Sequence, residues 1–539
     1  MIKGIIFDFD NTLYDYETAN TYALIQLFNT ISIEQNIDCG LIKTMYNKIN
    51  NNIKISNNSN NKFNKLIYFK QLLETANIPL HFLETYNNLY HLHFFEKFAL
   101  YDGVLDLFMI LKTKNIKIGI LSNNIFSQQY EKLVKSRLIE YIDVIQTSDE
   151  FGEEKPSINL FYSIQNKMKL SYDQLAYIGD NYLHDIEPAI SLNILTFWFN
   201  LSYSLQVVNN IIQFGNYSEL LVFFNKYFNT ITELIFLSKY FGQSVINIQG
   251  PGGNISVKLD NDILFIKSSG FILGNLSYNE GYCLVDINKC NTLVKTNTNK
   301  IKDTKIFGYK LPSMETYFHS FMKKYTVHLH FVLSNIVFCT CDYSIMSAFQ
   351  YNYMIIDYFT PGLELAIEIY KKYDTTCDIY FLKNHGIIIT SDRVDDIIKY
   401  YEYIFTFFAP LDNKYENELI CNKMMQIYDK NQCSKVVKCL ELPVKIFRNM
   451  IICFPDLAVF LQKQLSVSAL TELEHNFDEY DMILYDHKVF LIADNITKLY
   501  SLIEIVNSYA ILQLNSNSLV SIDNITKLQN MEEEKNRKL

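Results

Sequence analysis

Residues 5–13 read Ile5-Ile6-Phe7-Asp8-Phe9-Asp10-Asn11-Thr12-Leu13. An apolar strand here runs into two aspartates one residue apart. Side chains alternate along an extended strand, but a turn after Asp8 allows both carboxylates to reach one small volume. Two carboxylates at the C-terminal edge of a strand suit Mg²⁺, a hard ion that prefers oxygen ligands and retains some of its water.

Working outward, short buried strands are expected at 4–9, 117–122, 143–146, 175–179 and 194–198, separated by helical stretches. That alternation implies an α/β unit with a parallel sheet covered by helices on both faces, over about 1–228. Between the first two strands, residues 14–100 carry helical periodicity without strand signals and read as a helical cap over the sheet's C-terminal edge. The Asn-rich run 47–64 within it reads as a polar loop with no part in substrate choice.

Chemistry-bearing residues follow each later strand. Ser122 and Asn123 come after 117–121, Lys155 precedes Pro156, and Asp180 and Asp185 come after 175–179. In open parallel sheets, ligands bind at this edge. A carboxylate nucleophile, a second carboxylate to move a proton, a hydroxyl and a lysine for phosphoryl oxygens, and further carboxylates for Mg²⁺ make up the requirements of phosphoryl transfer.

This series resembles the haloacid dehalogenase superfamily, phosphatase branch: Asp8-x-Asp10-x-Thr12, Ser122, Lys155 and Gly179-Asp180 with Asp185 match in order. The resemblance implies Asp8 as nucleophile through an aspartyl-phosphate and Asp10 as general acid/base. It places Mg²⁺ on Asp8, the Asp10 carbonyl and Asp180, with Asp185 beside them, and gives phosphate contacts to Ser122, Asn123 and Lys155. Asp10 favours the phosphatases over the dehalogenases, which lack this second aspartate.

Beyond residue 229 the pattern changes. Strands are expected at 245–248, 254–259, 263–267, 283–286, 326–331, 379–383 and 386–390, and helices at 314–324, 361–372 and 393–408. This describes a second α/β domain, 229–411, with a mostly antiparallel sheet, followed by an α/β extension at 412–539. The first domain is expected to close in a helix at Tyr217–Tyr227 and the second to open in another at Ile231–Tyr240. In Thr326-Val327-His328-Leu329-His330-Phe331 the two imidazoles stand two apart and share a strand face. His385, in Asn384-His385-Gly386, ends another apolar strand. Three histidines with Glu315 suit a catalytic Zn²⁺ that keeps one position open. His91 and His93 repeat the spacing in a helical context, where the rings diverge, one toward the core and one toward water. Gly253-Asn254-Ile255-Ser256 and Ser268-Ser269-Gly270 expose backbone N–H groups fit for an anion.

The set Gly253-Asn254-x-Ser256, Ser269-Gly270, Ser313-x-Glu315, His328-x-His330 and Asn384-His385-Gly386 resembles the class II aldolase/adducin family. Pro361-Gly362, Phe454-Pro455-Asp456 and the closing 531–537 motif resemble its long, rhamnulose-phosphate aldolase-like form. The resemblance implies His328, His330 and His385 as Zn²⁺ ligands and Glu315 as acid/base. It also implies a phosphate site from Gly253, Asn254, Ser269, Gly270 and Ser313, and a homo-oligomer, commonly a tetramer. Met314 replaces a serine found in some short members, and His319 lies on the same helical face as Glu315.

The function expected is a bifunctional sugar-phosphate enzyme: Mg²⁺-dependent phosphate monoester hydrolysis, and Zn²⁺-dependent aldol cleavage of a hydroxy-ketose or its phosphate. One alternative keeps the zinc site but runs dehydration or epimerisation, as in methylthioribulose-phosphate dehydratases fused to an enolase-phosphatase. Another is a non-catalytic, adducin-like scaffold, against which the retained histidines and Glu315 speak. Over 539 residues, 49% hydrophobic with 39 Tyr and 39 Phe, two or three packed cores are affordable. A net charge of −10 without a basic stripe argues against nucleic acid. No apolar run of about 20 residues is evident, and no basic, apolar leader precedes the first strand. Ten cysteines without a CxxC pair fit a reduced, cytoplasmic setting.

Overall fold

A computed structural model describes residues 2–409 apart from 56–61, 245, 309 and 341–342, together with five strands between 426 and 493. The chain divides into two compact units, Met1–Asn225 and Lys226–Leu539.

The N-terminal unit begins with β1 (Gly4–Phe7), wholly buried, as its apolar run demands. The cap follows as α1 (Tyr16–Gln35), α2 (Cys39–Ile55), α3 (Lys65–Thr75) and α4 (Leu83–Lys97). Asp15 caps α1 by accepting from Thr18 N–H, and Asn64 caps α3 by accepting from Leu66 N–H. The Asn-rich run is therefore not all loop: residues 47–55 belong to α2 and 64 caps α3, while 56–61 lie outside the described residues. On α4, His91 and His93 are both half-buried rather than one in and one out.

Core strands and helices then alternate: α5 (Val104–Thr113), β2 (Lys117–Ser122), α6 (Phe126–Lys135), β3 (Val144–Thr147), α7 (Ser148–Phe151), α8 (Ile158–Met168), β4 (Leu175–Gly179), α9 (Glu187–Ser191) and β5 (Leu195–Phe199). Two strands escaped the sequence reading, β6 (Gln206–Val208) and β7 (Ile211–Phe214). They form a hairpin on Asn209-Asn210, both with positive φ, the signature of a tight two-residue turn. The sheet order is β3-β2-β1-β4-β5-β7-β6, parallel except for that hairpin. On one face Ile6, Leu121, Leu175 and Tyr177 meet Leu160, Phe161, Ile164 and Met168 of α8. The ends of β1, β2 and β4 thereby hold Asp8, Ser122 and Asp180 on one edge.

Helix α10 (Tyr217–Gly242) is one 26-residue element where two helices were expected, and the division between units falls within it. It is long and apolar enough to cross a bilayer by length and composition, contrary to the expectation that no such run exists. Yet 56% of its most apolar window is buried inside the protein, as in a core helix.

The second unit contains β8 (Asn254–Lys258), β9 (Ile263–Lys267), β10 (Tyr282–Asp286), α11 (Ile287–Lys295), β11 (Lys305–Phe307), α12 (Thr316–Phe321), β12 (Tyr325–Leu329) and α13 (Val332–Thr340). It continues through β13 (Tyr353–Ile356), α14 (Leu363–Lys372), β14 (Ile379–Leu382), β15 (Gly386–Ser391) and α15 (Val394–Phe408). The order is β11-β10-β9-β8-β12-β15-β14-β13, antiparallel except for β13–β14. The two-residue period sorts the layers. Tyr380 and Leu382 of β14 face the cluster with α11, α12 and α14, whereas Phe381 points the other way, 5.8 Å from Phe408 of α15. Residues 246–248, expected as strand, lie in a turn and its exit, and the helix expected at 314–324 is confined to α12. Of the 412–539 segment, β16 (Gln426–Tyr428), β17 (Val436–Leu440), β18 (Gln464–Ser466), β19 (Met482–Tyr485) and β20 (Lys488–Ala493) form a sheet ordered β16-β17-β20-β19-β18. The Phe454-Pro455-Asp456 and 531–537 motifs lie outside the described residues.

Phe161 is fully buried, 5.2 Å between ring centroids from Tyr177. Phe161→Ala is expected to destabilise the N-terminal unit by about 3–5 kcal/mol, read as a lower urea midpoint for that unit with amide exchange accelerated on β1, β2 and β4.

Candidate active sites

In the N-terminal unit, Asp8 lies one residue past β1, and Asp180 one past β4. Asp185 is presented by the π-helical turn Tyr182–Ile186. Each offers a carboxylate oxygen, all within 4.8 Å of one another. Lys155 Nζ bridges two of them, donating to Asp8 Oδ1 and Asp185 Oδ1, each at 2.6 Å. Tyr177 OH donates to Asp185 Oδ1 at 2.8 Å, and Thr12 Oγ1 reaches Asp8 Oδ2 at 2.8 Å and Asp180 Oδ1 at 3.1 Å. Burial, with Asp185 and Asp180 alongside and Lys155 opposing, pushes the Asp8 carboxyl above the usual carboxylate range. Burial and Asp185 likewise raise Asp180 to about 6, against Lys155. Three carboxylates facing one ammonium form an oxygen-rich, charge-deficient pocket whose donor set fits a Mg²⁺.

Asp10 does not join this cluster as a carboxylate. Its Oδ1 accepts from Lys132 Nζ at 2.6 Å and from Tyr14 OH, and its Oδ2 accepts from Asn124 Nδ2 at 2.9 Å and Gln129 Nε2 at 2.8 Å. Burial alone would raise this carboxyl, but Lys132 and the other donors hold it below its ordinary value. Lys132 is itself buried, with its ammonium 5.3–5.9 Å from the ring centroids of Phe9, Tyr14, Tyr16 and Phe94. Sequence reading missed Gln129 and Lys132 because they sit on α6, off any strand end, and passed over Asn124, two residues past β2. Gln129 also donates to Ser122 Oγ at 2.6 Å. Asn123, which lines the site, is engaged with the loop of Lys155. It exchanges hydrogen bonds with the backbone of Lys155, accepting at 2.6 Å and donating at 3.0 Å, and so holds that loop.

Asp8, Asp10, Ser122, Lys155, Asp180 and Asp185 line a cavity of about 450 Å³ that extends to α2 and α3 of the cap.

In the second unit, His328 is on β12, His330 lies just past its end, and His385 immediately precedes β15, which pairs with β12. The three ring centroids are 4.8–5.0 Å apart. Together with Glu315, each offers a donor atom within 4.8 Å of the rest. Glu315 Oε1 is 3.2 Å from His385 Nε2, and Oε2 is 3.5 Å from His328 Nε2. His328 Nδ1 is 3.0 Å from the Ile387 carbonyl, which fixes Nδ1–H as donor and leaves Nε2 facing the cluster. Burial, reinforced by His385 and His330 against Glu315, keeps His328 well below the usual imidazole range, so it is neutral and able to ligate. Three nitrogens and one carboxylate in a buried site fit Zn²⁺.

Asn254 Nδ2 donates to Glu315 Oε2 at 2.6 Å, and Ser313 Oγ accepts from Glu315 N–H at 3.4 Å. Gly253, Asn254, Ser269, Gly270 and Ser313 line one small cavity beside Glu315. Lys267, missed in the sequence, lines it too. Its buried ammonium donates to Pro251 O at 3.0 Å and Ser268 O at 3.3 Å. His319 is outside the donor group: it is buried, with Nδ1 2.7 Å from Ser256 Oγ, and burial lowers it to about 3. Two glycines are required by close approach. A Cβ on Gly386 would stand 2.0 Å from Leu329 O, and one on Gly253, at φ +62°, would stand 2.3 Å from Ile248 Cδ1.

Residues 5–199 match the model for haloacid dehalogenase-like hydrolases, and residues 238–408 match that for the class II aldolase and adducin N-terminal domain. Through its first unit the chain belongs to the haloacid dehalogenase-like hydrolases, and its second unit is similar to the class II aldolase and adducin N-terminal domain. The dehalogenase-like part is 30% identical over 209 residues to a glyceraldehyde 3-phosphate phosphatase of Methanocaldococcus jannaschii, covering 36% of this chain and 84% of that protein. It is 24% identical to a ribulose-1,5-bisphosphate 5-phosphatase of Halopiger xanaduensis, covering 38% and 86%. The aldolase-like part is similar to the N-terminal class II aldolase domain of a conserved protein from Thermoplasma acidophilum, with 22% identity and a TM-score of 0.31, covering 34% of this chain and 93% of that one.

In the class II aldolase-like unit, Gly386→Ala is expected to displace β15 from β12 and with it His385. Affinity for a divalent metal should fall roughly 10–100-fold, the range typical when an outer-shell support of a metal ligand is lost. Metal content after dialysis against a graded chelator series measures it.

Proposed function

We propose that this chain is a bifunctional sugar-phosphate enzyme, with Mg²⁺-dependent phosphate monoester hydrolysis in its first unit and Zn²⁺-dependent aldol cleavage or condensation in its second. The observation that carries the first activity is the convergence of Asp8, Asp180 and Asp185 around Lys155 beside Ser122. Asp8 attacks phosphorus in line and becomes an aspartyl-phosphate as the alcohol leaves; water then releases phosphate. Lys155 neutralises Asp8 and Asp185 and remains close to phosphoryl oxygens, and Ser122 Oγ, held by Gln129, offers a further hydrogen bond. Mg²⁺ would be held by Asp8 and Asp180, with Asp185 alongside and the Asp10 carbonyl, and would supply charge stabilisation for the transferring group. Asp10, ionised in its cage of donors, is set to accept the proton of the attacking water. Its return of a proton to a leaving oxygen requires the Lys132 contact to loosen.

In the second unit, His328, His330 and His385 would hold Zn²⁺, which would supply polarisation of a substrate carbonyl. Glu315, beside those rings, takes a proton from the adjacent carbon and returns it. Gly253, Asn254, Ser269, Gly270 and Ser313, with Lys267 beneath, orient an anionic end of the substrate. The phosphatases named among the relatives act on glyceraldehyde 3-phosphate and on ribulose 1,5-bisphosphate, which supports small phosphorylated sugars as the substrate class.

A panel of phosphorylated sugars assayed for phosphate release and for aldehyde formation tests both halves. Asp8→Asn should remove phosphate release by at least about 10³-fold while aldehyde formation persists, and His328→Ala should do the reverse. A dehydrated ketone in place of aldehyde fragments would assign the second unit to dehydration. Lys132→Met should raise the Asp10 carboxyl toward and beyond its ordinary value. The acid limb of the pH profile for phosphate release should then move to higher pH, because Asp10 acts as base only when ionised.

A further inference from the structure

The cavity above the N-terminal carboxylates has two chemically different ends. At the sheet edge both buried lysines are already engaged by carboxylate: Lys155 by Asp8 and Asp185, and Lys132 by Asp10. From the cap, α2 contributes Tyr46, Asn50 and Lys54, and the approach to and first turn of α3 contribute Lys62 and Lys65. Lys62 faces Glu154 at 3.5 Å. Among the described residues neither Lys54 nor Lys65 forms an ion pair. Lys65 Nζ is 3.3 Å from Tyr46 OH and lies 5.3 and 5.9 Å from the ring centroids of Tyr68 and Tyr90. Burial first, then Lys54 and Lys132, lower its ammonium to about 8 against the opposing influence of Glu17. Glu17, exposed on α1, is the sole carboxylate that the cap adds to this lining among the described residues.

A half-buried ammonium among aromatic rings, with a second lysine close by, is costly unless an anion meets it. The scissile phosphoryl group is claimed by the sheet edge, where the nucleophile lies. We propose that the N-terminal site takes phosphate monoesters carrying a second anionic group, a carboxylate or another phosphate, and that Lys65 with Lys54 binds that group. This rests on the phosphatase reading of the site and adds a substrate class to it. The Asn-rich run thus reaches the substrate cavity: Asn47, Asn50 and Lys54 of α2 line it, beside the helix's buried stripe, instead of standing in a passive loop.

The full-length protein is assayed on matched esters: 3-phosphoglycerate against glycerol 3-phosphate for a carboxylate, and fructose 1,6-bisphosphate against fructose 6-phosphate for a phosphate. At least one doubly anionic member should be preferred about tenfold or more in kcat/KM. Lys65→Met and Lys54→Met should each erode that preference through KM and leave kcat on p-nitrophenyl phosphate unchanged, while Lys65→Arg retains it. Which pair responds distinguishes carboxylate from phosphate. The proposal is overturned if wild-type protein shows no preference in either pair, or if the methionine variants lose as much on p-nitrophenyl phosphate. Titration calorimetry with the same esters on Asp8→Asn protein reads the subsite without turnover. If no ester is hydrolysed, the phosphatase reading fails, and this binding ratio still decides the subsite: tighter binding of the doubly anionic ester, lost on adding Lys65→Met, upholds it, and equal affinities overturn it.

Discussion

Both candidate sites depend on how like or competing charges are balanced at the ends of buried strands. In the first, a single ammonium, Lys155, is shared by Asp8 and Asp185 while Asp180 is tied to Thr12. Taking such groups out of water is expensive, and only close hydrogen-bonded neutralisation makes it tolerable. The second site sets three imidazoles, His328 among them held neutral by burial, around one carboxylate, Glu315. Each sheet serves as a rigid mount that brings these groups together from positions far apart in the chain, so the chemistry depends on strand register before it depends on any one side chain.

Asp10 illustrates how neighbouring elements retune a residue whose identity alone suggests one role. It stands two positions from Asp8, yet its carboxylate turns away from the acidic cluster into donors supplied by α6 and its approach. Gln129 reaches both Asp10 and Ser122. The carboxylate proposed to move protons and the hydroxyl proposed to meet phosphoryl oxygens therefore share one amide.

Much of this was legible in the sequence where local pattern and tertiary role coincide. Asp8, Ser122 and Asp180 follow apolar runs that can only be buried parallel strands, and His328 and His385 adjoin antiparallel ones. Legibility failed where an element is short or where position is set by distant packing. The β6–β7 hairpin has too few residues for a periodic signal, and β11 and β13 sit at the margins of their sheet. Lys132 and Gln129 lie on an amphipathic helix whose inner face looks like any core-facing stripe. The Asn-rich stretch misled because its composition resembles a loop, whereas Ile42, Tyr46, Ile49 and Ile53 give α2 a buried side that holds it helical. His330 shows a finer limit: the strand ends at Leu329, yet the ring still falls in place.

The pairing of β12 with β15 has an evolutionary corollary. His328 lies opposite Ile388, and His385 enters just ahead of the residue that abuts Leu329. The connections on either side of α14 can gain or lose residues over generations without disturbing the histidines, because the ladder resets their phase. One residue inserted within β15 would turn its faces inside out. Drift in this family should therefore accumulate in connecting segments, with these two short strands frozen in length.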